Sequence, residues 1–261
     1  MTQLHNEFPL TGISHSCAYT EEMDHKIVTP IPLIKKLTAE LTGTFLLTFA
    51  ILASVQNMVL LGTNDFWMVC VTHGLVLGMV AWIYGPFSGG HVNPAVSFAF
   101  FLKKQMSIVE LTTYVAAQLV GSFIAAMLVS GLFHVNFTNC VDSCCGLCNE
   151  PVEGLHTAAA FFVEVIGTFI LVLAVLATAD QNNKSLESPI AKVMLIVFAI
   201  ILAGTSVGKL TGFAINPARD LMPRFWAAAI YGKGALSAYT WVPVVGPMVG
   251  AALAVGVKEL H

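Results

Sequence analysis

Apolar residues along this chain fall in long blocks. Six blocks approach or exceed the roughly 20 residues that a helix needs to cross a bilayer. They are residues 37–61, 66–85, 106–133, 158–179, 190–207 and 235–257, and each is predicted to be a membrane-spanning helix. Two further apolar stretches open at Asn93 and at Asn216, run about ten residues each and are too short to cross. Lipid-exposed irregular backbone is not tolerated at depth, so both are predicted to be re-entrant half-helices inside the bundle or lining a wet cavity.

The pattern repeats. Glu40-Leu41-Thr42-Gly43-Thr44-Phe45 answers Glu164-Val165-Ile166-Gly167-Thr168-Phe169, an offset of 164 − 40 = 124. Asn93-Pro94-Ala95 answers Asn216-Pro217-Ala218, an offset of 216 − 93 = 123. Each half holds three spans, an odd number, so the second half enters from the opposite side. The sequence therefore predicts an all-α membrane protein: six transmembrane helices plus two half-helices in an inverted three-helix repeat, with any shared site near the midplane. Repeat one covers about residues 33–135 and repeat two about 157–258 of a channel domain spanning 33–261.

Composition agrees. Of 261 residues 56% are hydrophobic and 10% charged, against roughly 25% charged in soluble domains. So little charge cannot cover a water-facing surface. A net charge of −3 gives no basic bias and no reason to expect nucleic acid. Residues 1–32 are polar, with Glu7, Glu21, Glu22 and Asp24. They read as a disordered tail rather than a signal peptide. Lysines set the sidedness. Lys26, Lys35 and Lys36 precede the first span, Lys103 and Lys104 the third, and Lys184 and Lys192 flank the fifth, whereas residues 134–157 hold no lysine or arginine. Both termini are predicted to be cytoplasmic and the 134–157 connector external. Lys209, Arg219, Arg224 and Lys233 weaken that asymmetry and are assigned mostly to re-entrant structure.

Asn is a good N-cap and Pro fits the first helical turn. One Asn-Pro-Ala alone would be an ordinary helix start; two in inverted halves are not. Facing half-helices bring two N-termini together, each carrying roughly half a positive charge. The Asn93 and Asn216 amides can donate to a passing oxygen, while a cation meets an adverse field and a water chain is forced to reorient. Glu40 and Glu164 lie inside spans, where carboxylates are costly. A cation- or proton-coupling role is one reading. The preferred one is structural, each Glu accepting bonds from the non-helical backbone before its half-helix. Gly89, Gly90 and Gly212 mark that backbone, since glycine permits unusual dihedrals.

The segments Ser88-Gly89-Gly90-His91-Val92-Asn93-Pro94-Ala95-Val96 and Leu210-Thr211-Gly212-Phe213-Ala214-Ile215-Asn216-Pro217-Ala218-Arg219-Asp220 resemble the aquaporin superfamily. Asp220 directly after Arg219, Arg224 four positions on, and Pro243-Val244 in the sixth span are similar to its aquaglyceroporin branch. The resemblance covers about residues 36–257. It implies a passive channel for water, glycerol and other small uncharged solutes, without cofactor or metal, as a homotetramer in a lipid bilayer, the plasma membrane rather than an intracellular one. It implies a selectivity constriction at His73, Gly204, Phe213 and Arg219. Gly204 is expected to leave room, Phe213 to give an apolar wall, and Arg219 to donate to hydroxyls and repel cations. It implies that the backbone carbonyls of Gly89, Gly90, His91, Val92, Gly212 and Ala214 line the pore. Pro94, Ala95, Pro217, Ala218 and Asp220 would be structural. His73 departs from the Trp or Phe typical of glycerol channels and is similar to water- and ammonia-permeable members. The alternatives are therefore a water-, ammonia- or urea-selective pore with little glycerol flux, or a core histidine bonded to a backbone carbonyl. His91 reads as a loop histidine bonded to nearby backbone.

Four cysteines, Cys140, Cys144, Cys145 and Cys148, share the 134–157 connector. An external connector favours disulfides over free thiols or a half zinc site, with the pairing open. Asn136-Phe137-Thr138 is a glycosylation sequon on that side; Asn183-Lys184-Ser185 is another, on the inner side. An ion-coupled secondary transporter also favours inverted repeats, but asparagine rather than an ionisable pair occupies the midplane. An intramembrane zinc hydrolase would want His-Glu-x-x-His, which does not occur.

Overall fold

The computed structural model describes residues 31–138, 144–232 and 234–260. The tail expected over 1–32 lies almost wholly outside the described residues, as do Cys140 and Lys233.

Among the described residues nine α-helices form in chain order: α1 (Leu33–Leu60), α2 (Phe66–Ser88), α3 (Pro94–Leu102), α4 (Ile108–Leu132), α5 (His134–Thr138), α6 (Thr157–Ala179), α7 (Pro189–Ser206), α8 (Pro217–Tyr231) and α9 (Val242–Glu259). No strand occurs among the described residues. Six of these helices (α1, α2, α4, α6, α7 and α9) are long and apolar enough to cross a membrane. Their outer faces expose large apolar side chains, among them Trp67, Leu75, Trp82, Phe162, Phe198 and Leu253. An apolar surface of this extent suits lipid rather than water.

Two boundaries differ from the sequence reading. The sixth span starts at Val242, not near residue 235. The apolar stretch before it turns at Ser237, whose hydroxyl accepts from the Tyr239 amide while its own amide donates to the Thr240 hydroxyl. The second half-helix, α8, runs 15 residues, well past the expected ten. Its charged residues do not end it, because Asp220 and Arg224 pair at i, i+4 through a 2.9 Å bond and are both buried.

The two repeats pack alike. α1 lies against α4, and α6 against α9. At each crossing a glycine lets backbones meet: a Cβ on Gly121 would strike the Leu41 carbonyl, and one on Gly250 the Val165 carbonyl. Leu41 and Val165 differ by 165 − 41 = 124, the offset of the sequence repeat. Small residues at such crossings are what close packing of membrane helices requires.

Ion pairs tie helix ends together where α1 starts and α9 finishes. Lys36 reaches Glu110 at 2.8 Å, Lys103 reaches Glu259 at 2.6 Å, and Lys258 reaches Asp180 at 2.6 Å. Of the cations that blurred the charge asymmetry, Arg219 and Arg224 are buried within the bundle, and Lys209 donates to Asn64 beyond the end of α1.

Candidate functional site

The site is built where α3 and α8 begin. Asn93 and Asn216 each cap their own helix: Asn93 Oδ1 accepts from the Ala95 amide at 2.9 Å, and Asn216 Oδ1 from Ala218 at 3.1 Å. Pro94 and Pro217 take the first helical positions, where a missing N–H costs nothing. Each asparagine also crosses to the other repeat. Asn93 Nδ2 donates to the Ile215 carbonyl and Asn216 Nδ2 to the Val92 carbonyl, both at 2.8 Å. The two half-helices therefore meet N-terminus to N-terminus. Each amide nitrogen has two hydrogens, so one per asparagine is spent on the opposite loop and one remains. The sequence did not reveal this cross-link, and it places the Val92 carbonyl in a bond to Asn216.

Behind the loops stand the two carboxylates, both fully buried. Glu40 accepts from the backbone of His91 at 2.9 Å and Val92 at 2.7 Å, from the Ser88 hydroxyl and from Gln118 Nε2. Glu164 accepts from the backbone of Ala214 at 3.1 Å and Ile215 at 2.7 Å, and from the Thr211 hydroxyl. Every one of these bonds points to loop backbone or to a side chain beside it. Gly89, Gly90 and Gly212 take positive φ of 86°, 61° and 80°. Val92, Phe213 and Ile215 do so as well, at 43°, 40° and 42°. Left-handed backbone at β-branched residues is costly, and the carboxylate bonds hold it.

A cavity of 680 Å³ begins between the C-termini of α2 and α6 and the N-terminus of α7, and its lining runs past Asn93 and Asn216 to His73. Its lining includes the apolar side chains Leu47, Leu77, Val96 and Leu171. Gly89, Gly90 and His91 line it from the first loop. The His91 ring bonds the Ser97 hydroxyl at 3.1 Å and stacks on Phe100, so its partner is a side chain rather than the expected backbone.

At the closed end His73 packs its ring against Phe213, centroids 4.9 Å apart. Its Nδ1 is buried and finds no hydrogen-bond partner among the described residues. Gly204 sits behind the same ring: a Cβ there would come within 2.8 Å of Phe213 Cζ and 2.7 Å of Cys70 Sγ. The missing Cβ at Gly204 thus leaves space for the Phe213 ring. Arg219 is buried on the first turn of α8, and its NH1 donates to Asn149 Oδ1 at 2.7 Å. Asp220 accepts from Arg224 Nε and from the Asn149 amide at 2.8 Å. Asn149 lies in the cysteine connector, where no periodicity or motif marks it.

The described part of the connector is tied down by covalent and polar contacts. Cys144 and Cys148 are disulfide-bonded, which removes both sulfurs from the zinc alternative. Buried Gln56 at the end of α1 donates to the Cys145 carbonyl at 2.9 Å. Asn136 Nδ2 donates to both the backbone and side-chain oxygens of Gln56.

A major intrinsic protein family model matches residues 28–257, most of the chain and every element above. The chain belongs to the major intrinsic protein family. Among curated relatives of this major intrinsic protein, the glycerol uptake facilitator protein of Bacillus subtilis is 38% identical over 221 residues, covering 81% of this chain and 79% of that one. Aquaporin-9 of Homo sapiens is 32% identical over 256 residues, 90% of this chain and 86% of that one. The X-ray structure of the aquaglyceroporin from Plasmodium falciparum superposes with a TM-score of 0.81 at 29% identity, covering 87% of this chain and 96% of that one. The family is one of channels rather than enzymes, and this member is a multi-pass membrane protein.

Proposed function

We propose that this protein is a passive channel for glycerol, water and other small uncharged solutes. The observation that carries the reading is the meeting of the α3 and α8 N-termini at Asn93 and Asn216, on a cavity whose other lining is largely apolar. A polyol has hydroxyls on one side and carbon on the other. The remaining amide hydrogens of Asn93 and Asn216 donate to its oxygens, and Leu47, Leu77 and Val96 face its carbons. Two helix N-termini repel a cation, and asparagine donors orient water against proton relay. The glycerol facilitator and aquaglyceroporin relatives support the solute class.

His73, Gly204, Phe213 and Arg219 form the constriction in this reading. Phe213 presents an apolar face and Arg219 a fixed donor and positive charge. Glu40 and Glu164 shape the loops and do not couple to an ion, since their oxygens are spent on loop donors. The protein works as a homotetramer with a pore in each subunit, in the plasma membrane with both termini cytoplasmic. The lysines at the end carrying both chain termini support that orientation.

The test is stopped-flow flux of glycerol, water, urea and ammonia into proteoliposomes of the purified protein, with parallel ion-current recording. Glycerol and water flux without current is the expected result. A sizeable cation conductance, or flux that saturates and follows a driving ion, would overturn the proposal.

A further inference from the structure

Four things converge on Asn149. Its side-chain Oδ1 accepts from Arg219 NH1 at 2.7 Å. Its backbone is pinned on both sides, the amide donating to Asp220 and the carbonyl accepting from Arg224 NH2. Its side chain packs on Gly212, where a Cβ would lie 3.0 Å from Asn149 Cγ and Oδ1. The loop that presents it is closed by the Cys144–Cys148 disulfide just before it, and Val152 just after it donates to the Leu210 carbonyl. Asn149 is buried, yet among the described residues its Nδ2 finds no protein partner. A side chain kept for packing alone would do better as leucine, which has the same size and no orphaned donor. The acceptor oxygen is what asparagine adds at this place.

Arg219 needs such an acceptor. Its Nε has no partner, and the nearest carboxylate, Asp220 Oδ2, stands 3.8 Å from NH1. Asp220 is instead occupied by Arg224 and the Asn149 amide. The bond to Asn149 is therefore the one side-chain hydrogen bond that orients the guanidinium among the described residues. A long side chain with several rotatable bonds loses its fixed geometry when its only anchor goes.

We propose that Asn149 is a positioning residue that sets solute selectivity by fixing the Arg219 guanidinium at the constriction. This rests on the channel reading above. Glycerol must meet donors in a fixed arrangement, whereas water makes fewer demands on geometry. Releasing Arg219 therefore lowers glycerol flux relative to water flux.

Full-length protein, Asn149→Leu and Asn149→Asp are compared in proteoliposomes for glycerol and water permeability. Asn149→Leu removes the acceptor, and the glycerol-to-water ratio is expected to fall about fivefold, the Boltzmann factor of one ordinary hydrogen bond. Asn149→Asp keeps an acceptor for Arg219 and is expected to restore most of the parental ratio. Asn149→Ala carries the same test if the leucine variant does not reach the membrane. A parental ratio in the leucine and alanine variants overturns the inference, and so does an aspartate variant that falls as far as they do. Parent protein that passes neither solute overturns the channel reading instead.

Discussion

A carboxylate inside an apolar bundle persists only if its oxygens are answered, and Glu164 is answered by the Thr211 hydroxyl and two loop amides. Glu164→Gln would turn one acceptor oxygen into an amide facing N–H donors. The expected cost is about 1–3 kcal/mol for the donors left unmet. Thermal unfolding in detergent should show a lower Tm, with glycerol flux lost in the same preparation. Glu40→Gln should behave alike, since Glu40 has the matching bonds to His91 and Val92. His73 makes a different case. Its Nδ1 is unpaired and its ring rests on Phe213, so substitution there should change selectivity with little effect on the fold. His73→Trp is expected to raise the ratio of glycerol to water flux, and His73→Ala to admit larger polyols. A panel of polyols of increasing size in the same flux assay checks both. The sequence alone revealed Glu40, Glu164 and both asparagines because each occurs in a repeated motif. It could not reveal Asn149, whose role depends on a connector folding back over 70 residues of chain to reach Arg219.

Among elements, the spans were legible because an apolar run of twenty residues admits few other structures. The ends were less so: the turn at Ser237 interrupts a run that composition alone carries through, and α8 continues past a charge pair that satisfies itself. The crossings depend on residues that hydropathy ignores. Gly121→Leu would drive a side chain into the Leu41 carbonyl and Phe45 amide of α1. Overpacking of this kind costs about 1–3 kcal/mol, occasionally more. The variant should give less folded protein on size-exclusion chromatography, and Gly250→Leu should match it at the α6–α9 crossing. The connector is stapled rather than packed as a span. Cys148→Ser opens a five-residue ring, worth about 2 kcal/mol of chain entropy. Its Tm should fall below the parent's in a non-reducing thermal scan.

At the scale of the whole molecule, the end of the bundle carrying both termini is tied by lysine–carboxylate pairs. Lys258 donates to Asp180 and holds that carboxyl below its ordinary range. A lowered carboxyl adds stability at pH values above its unfolded-state value, and the gain is lost as pH falls through the lowered value. Asp180→Asn should therefore melt slightly below the parent at neutral pH, with the gap closing in strong acid. A thermal series across pH reads this directly. The cross-linked asparagines carry a consequence for synthesis. Asn93 is made 122 residues before its acceptor at Ile215, and Val92 waits 124 residues for Asn216. While the ribosome is still building the second repeat, Glu40 already holds the first loop, but the Asn93 amide and the Val92 carbonyl have no partner to close on. The nascent first half is thus an unfinished object that only its own later sequence can complete. Made as two separate chains, each half should be cut readily by protease in the membrane, and co-expression of the two should restore resistance.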